Sequence, residues 1–212
     1  MKNNNNYDSI AWCYDWLSFI VFGNSIKIAQ IQMLPFIGKK NKVLISGGGT
    51  GWILEEIAKL HSSGLTITYI DVSEKMIRRS KNRKVGLNKI EFINKSIEEV
   101  VFSTDYYDVI LTHFFFDNFS QSSSKNIFEK LHQSLKSGGK WLFSDFQLKE
   151  RKKFWQRAMI NSMYLFFKIT CGIQANKLPD TDIYFYSHNY KLISAKSFYN
   201  KLIISKVFEK NM

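Results

Sequence analysis

Residues 43–52 read Val-Leu-Ile-Ser-Gly-Gly-Gly-Thr-Gly-Trp, an apolar strand that runs into a glycine-rich turn opening a helix. Such a turn lets ligand atoms approach bare backbone N–H groups. Spacing separates the nucleotide chemistries that use it. A dinucleotide site needs a third glycine where the helix packs on the strand, and Trp52 stands there, too bulky for that contact. A phosphate-cradling loop needs Lys-Ser/Thr after its glycines, and none follows. Gly47, Gly49 and Gly51 instead recur at every second residue, with Gly48 between them. Asp71 lies 20 residues beyond Gly51, at the end of the apolar run Leu65–Ile70. A carboxylate at that point can accept hydrogen bonds from both hydroxyls of a ribose. Its plainer role is to help start the next helix, but the glycine turn at this spacing favours the ribose.

A second group follows a later apolar run: Thr112-His113-Phe114-Phe115-Phe116-Asp117-Asn118. His113 is the candidate general base because an imidazole titrates near neutral pH; the alternative is a hydrogen-bonded structural histidine. Asp117 either orients a substrate or caps the next helix. Asp117, Asn118 and Asp145 are oxygen ligands of the kind a hard cation takes. Two of the three adjoin and no further ligand is evident, so no metal is expected.

These residues need a scaffold that brings strand ends together. Lys42–Ser46 reads as a first strand and Gly51–His61 as its helix. Leu65–Ile70 is a second strand, and Ser73 caps a helix running to about Lys84. Ile90–Ile93 and Tyr107–Phe114 are the third and fourth strands, the latter followed by a loop of Asn, Ser and Gln. A helix over Lys125–Leu135 ends at the turn Lys136-Ser137-Gly138-Gly139, and Lys140–Phe146 is the fifth strand. This alternation means a doubly wound, mostly parallel sheet with helices on both faces, binding ligands beyond the carboxyl ends of its strands. An aromatic-rich helical pattern over Tyr7–Ile37, broken near Gly23-Asn24, precedes it, and a long helix over about Lys149–Cys171 follows. Tyr190–Tyr199 reads equally as a helix before one final strand, Leu202–Glu209, or as an arm of a hairpin turning at Asn200-Lys201. The sheet therefore has six or seven strands.

The 212 residues, with only two prolines, fit a single domain: an N-terminal helical lid (1–37), a ligand-binding core (40–148), and a lid helix with the C-terminal strand or strands (149–212). Cys13 and Cys171 lie far apart in apolar surroundings, as buried thiols do in a reducing compartment. The start lacks a secretory pattern and the longest apolar stretch, Trp16–Ile26, is too short to span a bilayer, so a cytoplasmic protein is expected. The net charge of +12 raises nucleic acid as a partner. Six basic residues from Lys75 to Lys84 and five from Lys149 to Arg157 carry much of it. No nucleic-acid-binding module accompanies them, so a solvated basic face is expected and nucleic acid is not. The basic residues beside Phe154 and Trp155 also fit a peripheral membrane contact.

The chain resembles the class I S-adenosylmethionine (SAM)-dependent methyltransferases, particularly the ubiquinone/menaquinone C-methyltransferase branch, over about Tyr7–Phe146. Beside the every-second-residue glycines, Tyr7-Asp8…Ala11…Tyr14-Asp15 is similar to the branch's opening, Asp71-x-Ser73-x-x-Met76 to its post-strand motif, and Leu135-Lys-Ser-Gly-Gly139 to its Leu-Lys-Pro-Gly-Gly turn. The resemblance implies a Rossmann-like α/β fold with SAM as cofactor and S-adenosylhomocysteine (SAH) as product. It further implies Gly47, Gly48, Gly49 and Gly51 at the methionine portion, Asp71 on the ribose, and Val72, Met76, Ser96 and Ile97 around adenine. Tyr7, Tyr14, His113, Phe115, Asp117 and Asn118 would face the acceptor. Three positions depart from the pattern. Ile45 replaces an acid, Ser96 an aspartate, and Asp117-Asn118 stands where the branch has Arg-Asn, which reverses a charge at the acceptor. The expected activity is methyl transfer to carbon or oxygen of a small, largely apolar acceptor, aromatic and quinol-like rings included. The aromatic segments Trp12–Phe22 and Phe154–Phe167 would form a lid or pack on the core. The alternatives are a noncatalytic SAM-fold module binding RNA or a protein, and an NAD(P) oxidoreductase, which Trp52 disfavours.

Overall fold

The computed structural model describes residues 21–148, 154–171 and 177–211. Five parallel strands form most of one sheet: β1 (Lys42–Ser46), β2 (Ser63–Asp71), β3 (Leu87–Asn94), β4 (Tyr107–His113) and β5 (Leu135–Phe146). Two further strands complete it: β7 (Ile203–Glu209) pairs antiparallel with β5, and β6 (Lys191–Phe198) pairs antiparallel with β7, giving the order β3-β2-β1-β4-β5-β7-β6. Among the described residues the sheet therefore has seven strands, and the hairpin reading of the C-terminus is correct. Tyr199, Asn200 and Lys201 make its turn with φ of 48°, 52° and 67°, a left-handed run that no helix admits. The chain builds outward from β1 to β3, then crosses back to β4 on the other side of β1. That reversal opens a crevice at the carboxyl ends of β1 and β4.

Helices cover both faces because the central strands are apolar on both sides. Leu44 and Ile110 point into one core with Trp141 and Phe143, and α4 (Gln121–Ser134) adds Ile127, Phe128 and Leu131 to it. Val43, Ile45, Val109 and Leu111 point into the other, against Ile53, Leu54 and Ile57 of α2 (Trp52–Leu60). The N-terminal helical pattern breaks at Gly23, with φ of 56°, before α1 (Ser25–Ile31) and a 3-10 turn at Leu34–Phe36. Helix α5 (Phe154–Cys171) and a short α6 (Asp182–Ser187) precede the hairpin. The sequence pattern did not foretell α6. Its buried Tyr184 and Phe185 pack on Phe128, and Phe185 stacks on Phe208 with ring centroids 3.8 Å apart.

Several boundaries differ from expectation. Helix α3 (Glu74–Ser80) is shorter than the pattern to Lys84. Ser73 caps it, accepting from Met76 N–H at 3.2 Å, but Arg83 turns back to donate to the Thr50 carbonyl at 2.9 Å and to Glu55 at 3.3 Å. One of the six basic residues assigned to a solvated helix thus braces the glycine turn. Helix α4 begins earlier than expected because Ser120 accepts from Ser123 N–H at 3.2 Å, recruiting the Ser/Gln loop into its first turn. The Lys136–Gly139 turn lies inside β5: pairing shifts between Tyr107↔Leu135 and Val109↔Lys140, a bulge that Gly138 enters with φ of 70°.

Candidate active site

One cavity of about 330 Å³ opens beyond the carboxyl ends of β1, β2 and β4. It is lined by Ile45–Thr50, by Ile70–Val72 and Met76, by Lys95–Ile97, and by His113–Phe115 with Asp117–Phe119. Its roof comes from Val21, Phe22, Ile26, Lys27 and Gln30 at and beside α1, and from Met159, Ser162 and Met163 of α5.

The glycine turn works differently from the bare-amide expectation. Gly47 and Gly48 N–H both donate to the Ile70 carbonyl, at 2.9 and 3.3 Å, and Gly51 N–H donates to Gly48 at 3.3 Å. Gly49 N–H donates to the Asp71 carboxylate at 2.8 Å. The turn therefore offers close approach, not free amides. A Cβ on Gly48 would fall 2.1 Å from the Tyr69 ring, and one on Gly51 would fall 2.5 Å from Ser80 Cβ. At Gly49 a Cβ would meet nothing within 4 Å, but φ of 63° still asks for glycine. Gly47, Gly48 and Gly49 border the cavity; Gly51 lies behind it, as a packing residue between α2 and α3. Beside the turn, the Ser46 hydroxyl is buried without a hydrogen-bond partner. An open glycine surface and an orphaned hydroxyl at one spot fit a polar ligand laid along the turn.

Asp71 is 8% exposed, and its two oxygens are held separately: Oδ2 by Gly49 N–H, Oδ1 by Ser73 N–H at 2.9 Å. The residue braces the turn into α3, the plainer of its two expected roles, and it lines the cavity where the other role would place a ribose. Tyr69 donates to the Gly49 carbonyl at 3.0 Å and Asn94 donates to the carbonyls of Asp71 and Val72 at 3.0 and 2.9 Å, so the whole corner is tied. Val72, Met76, Ser96 and Ile97 come together on the adjoining wall. Lys130 anchors that wall from α4 through the carbonyls of Ile97 (3.2 Å) and Glu98 (2.8 Å).

The loop after β4 supplies the other wall. Phe114 has φ of 51°, a left-handed conformation costly for a bulky side chain, held by its N–H to Ser144 at 2.7 Å and by its ring on Phe146 at 5.0 Å. His113 is half-buried, and desolvation of its ring lowers its pKa to about 3. The expectation that it titrates near neutrality is thereby corrected: it is a neutral imidazole. Its Nδ1 lies 3.0 Å from Gln30 Oε1, while its Nε2 is buried without a partner. Phe115, Asp117 and Asn118 border the same space. Burial pushes Asp117 up to about 7. Asp145 at the end of β5 is raised well above the usual carboxylate range, by burial first and by Asp117 second. Among the described residues no group of three or more His, Cys, Asp or Glu is placed to hold a metal ion.

Tyr7, Tyr14 and Trp12 lie outside the described residues. The lid expectation for α5 changes: Phe154 and Trp155 face outward at 84% and 43% exposure, and the residues turned to the cavity are Met159 and Met163. Sequence reasoning missed Lys27, Gln30 and Tyr69. None carries a local motif; only the docking of α1 and the packing of the turn bring them in. No helix among the described residues is long and apolar enough to cross a membrane.

Residues 43–139 match the family described as Methyltransferase domain, and the fold, glycine turn and acidic strand end resemble those of the class I SAM-dependent methyltransferases. Among curated relatives, the carboxy-S-adenosyl-L-methionine synthase of Nautilia profundicola is 31% identical over 64% of this chain and 57% of its own length. The ubiquinone/menaquinone biosynthesis C-methyltransferase UbiE of Wigglesworthia glossinidia brevipalpis is 26% identical over 97% of this chain and 80% of its own. The chain thus spans little more than half of the first relative. Among solved structures, a methyltransferase in complex with the Haloferax volcanii Trm112 methyltransferase activator superposes with a TM-score of 0.71 at 12% identity, covering 98% of this chain and 99% of that one. It shares the fold over its full length.

Proposed function

We propose that the protein transfers a methyl group from SAM to carbon or oxygen of a small, largely apolar acceptor, aromatic and quinol-like rings included. The observation that carries this reading is a single cavity with two unlike halves: a polar glycine-and-aspartate half, and a half walled by Phe22, Phe114, Phe146, Met159 and Met163. SAM supplies an activated methyl on a sulfonium, so the protein's task is alignment and exclusion of water. Gly47, Gly48 and Gly49 with Ser46 hold the methionine portion, and Asp71 takes the ribose hydroxyls. Val72, Met76, Ser96 and Ile97 enclose adenine. Lys27, whose ammonium lies 5.7 Å from the Trp52 ring centroid, provides a cation for the methionine carboxylate. Ile45, buried at 3%, closes the floor as an apolar surface where relatives of the resembled branch carry an acid. His113, Phe115, Asp117 and Asn118 face the acceptor, and Gly51 keeps the turn packed. Tyr7 and Tyr14 would close the site from the N-terminal segment.

Calorimetric titration with SAM and SAH, on the wild type and on Asp71→Ala, tests the cofactor half. Binding that weakens in the variant supports it, and no binding by the wild type overturns it. Transfer of labelled methyl to a panel of phenols, hydroquinones and naphthols tests the acceptor half. Salt-dependent RNA binding without SAH affinity would favour the noncatalytic alternative instead. A stable complex with a small protein activator would place a partner beside the enzyme.

A further inference from the structure

Helix α5 carries two apolar faces where packing needs one. Its inner face docks on the fold. Ile160 is buried there, and Met159 and Met163 face the cavity. Gln156 donates to the Asn200 carbonyl at 2.9 Å and Tyr164 to the Asp117 carbonyl at 3.2 Å. A surface helix held in this way carries one apolar stripe and is polar on the opposite side. The opposite side of α5 is not polar. Phe154, Ala158, Leu165 and Ile169 recur at i, i+4, i+11 and i+15, which at about 100° per residue puts them within about 60° of arc. All four are exposed, Leu165 at 60% and Ile169 at 75%. Single exposed apolar residues are ordinary on a protein surface; three large ones aligned along one helix mark an interaction surface.

The charges beside the stripe say what kind of surface it meets. Arg157 and Lys168 are exposed along one border of it, and α5 holds no Asp or Glu. Trp155 stands at the other border, its ring edge-on to Tyr199 at 6.4 Å. The sequence leading into the helix is Lys149-Glu-Arg-Lys-Lys153, so five bases and one acid fall between Lys149 and Arg157. A second copy of the chain seated on this stripe would set those bases against their own equivalents, in a protein whose net charge is already +12. An anionic lipid surface answers both features at once, with acyl chains for the stripe and phosphates for the cations. No helix among the described residues is long and apolar enough to cross a membrane, so α5 would lie on such a surface and not span it.

We infer that the outer face of α5 docks on an anionic lipid bilayer. The helix lies in the membrane plane, with Phe154, Leu165 and Ile169 among the upper acyl segments and Arg157 and Lys168 at the phosphates. Trp155 sits at headgroup depth, where an indole has both an apolar and a wet side. The inner face of the same helix roofs the cavity through Met159 and Met163, so the bilayer comes within about one helix diameter, roughly 10 Å, of the pocket. This contact is separate from the chemistry of the pocket and holds whichever acceptor the pocket takes.

Sedimentation of the full-length protein with large unilamellar vesicles tests the surface. Vesicles of phosphatidylcholine mixed with phosphatidylglycerol are expected to carry the protein down, and vesicles of phosphatidylcholine alone to hold it about ten-fold less tightly. Phe154→Ser combined with Ile169→Ser should weaken binding to the anionic vesicles about ten-fold or more, and Arg157→Gln combined with Lys168→Gln about ten-fold. These side chains are exposed, so both variants should keep the melting temperature and SAH affinity of the wild type. Lipids brominated on the acyl chain should quench tryptophan fluorescence in the wild type, and Trp155→Phe should reduce that quenching, a readout that needs no change to the stripe. Absence of binding to the anionic vesicles, or binding unchanged by the paired serine substitutions, overturns the inference. A stable dimer in light scattering that the same substitutions disperse would give the stripe to a second copy and overturn it equally. Failure of SAH to bind strikes the proposed function alone, since the vesicle result is read without cofactor.

Discussion

Replacing Asp71 by Asn separates the structural duty of this side chain from the ribose role proposed for it. The carboxylate accepts Gly49 N–H at 2.8 Å through one oxygen and Ser73 N–H at 2.9 Å through the other, at 8% exposure. An asparagine keeps one acceptor oxygen and turns an NH₂ toward the other amide, leaving a buried donor facing a donor. That mismatch costs about 1–3 kcal/mol of stability. The ribose hydroxyls would in addition lose a charged acceptor. Two hydroxyls donating to a carboxylate, at about 1.5 kcal/mol each, make a loss of about 3 kcal/mol, or roughly 150-fold in SAH affinity. Asp71→Ala removes both acceptors and should weaken SAH at least as much, with a larger loss of stability. Chemical denaturation gives the first quantity and calorimetric SAH titration the second. An Asp71→Asn protein that binds SAH within about three-fold of the wild type would refute the ribose role, even if its stability fell as calculated.

Three further outcomes follow from the packing and the titrating groups. In Gly48→Ala the new Cβ sits 2.1 Å from the fully buried Tyr69 ring, so stability should fall by about 2–4 kcal/mol, overpacking plus the lost Tyr69–Gly49 hydrogen bond. Denaturation of a double mutant with Tyr69→Leu should show a coupling above about 1 kcal/mol, and additive effects would exclude the clash. Lys206 is 4% exposed and pairs with Asp182 of α6, so Asp182→Ala removes a carboxylate partner from a buried ammonium and should cost about 3 kcal/mol in urea denaturation; a change below about 1 kcal/mol would count against it. As for pH, His113 stays neutral in the native state down to about 3, whereas the unfolded chain binds a proton below about 6.5. Its contribution to stability is therefore lost as pH falls through that window, at about 1.4 kcal/mol per pH unit. Asp117 acts in the opposite sense. The native state keeps its proton up to about 7 and the unfolded chain releases it near 3.8, so that contribution is lost as pH rises. His132, lowered to about 4, and the raised Asp145 add to the two sides in turn. His113→Gln should consequently tilt the stability–pH curve toward acid relative to the wild type, and parallel curves would refute the desolvated neutral histidine.

Much of this molecule is local, and its sequence determines that part. The strands β1, β2 and β4 are legible because both faces are apolar, and the Ser73 cap because a hydroxyl three residues ahead of Met76 N–H suffices. The glycine turn and Asp71 are legible because their φ angles and spacing are properties of a short segment. Other features exist only in three dimensions. Arg83 looks like one more cation on a helix until the end of α3 lets it reach Thr50. Helix α4 starts early, and the Lys136–Gly139 turn joins β5, because sheet pairing outranks the local stop signal. The hairpin over helix at the C-terminus was decided by β5, which offered an edge for β7 to pair with. Burial is the clearest case. The types of His113, Asp117 and Asp145 were plain from sequence, but their charge states were not. Desolvation and the approach of β4 to β5 drive the histidine down and the carboxyls up, and both effects sum over residues distant along the chain. A cofactor turn could be expected from a ten-residue segment because its signal is local; the charge states around the cavity could not, because desolvation sums over strands far apart in the chain.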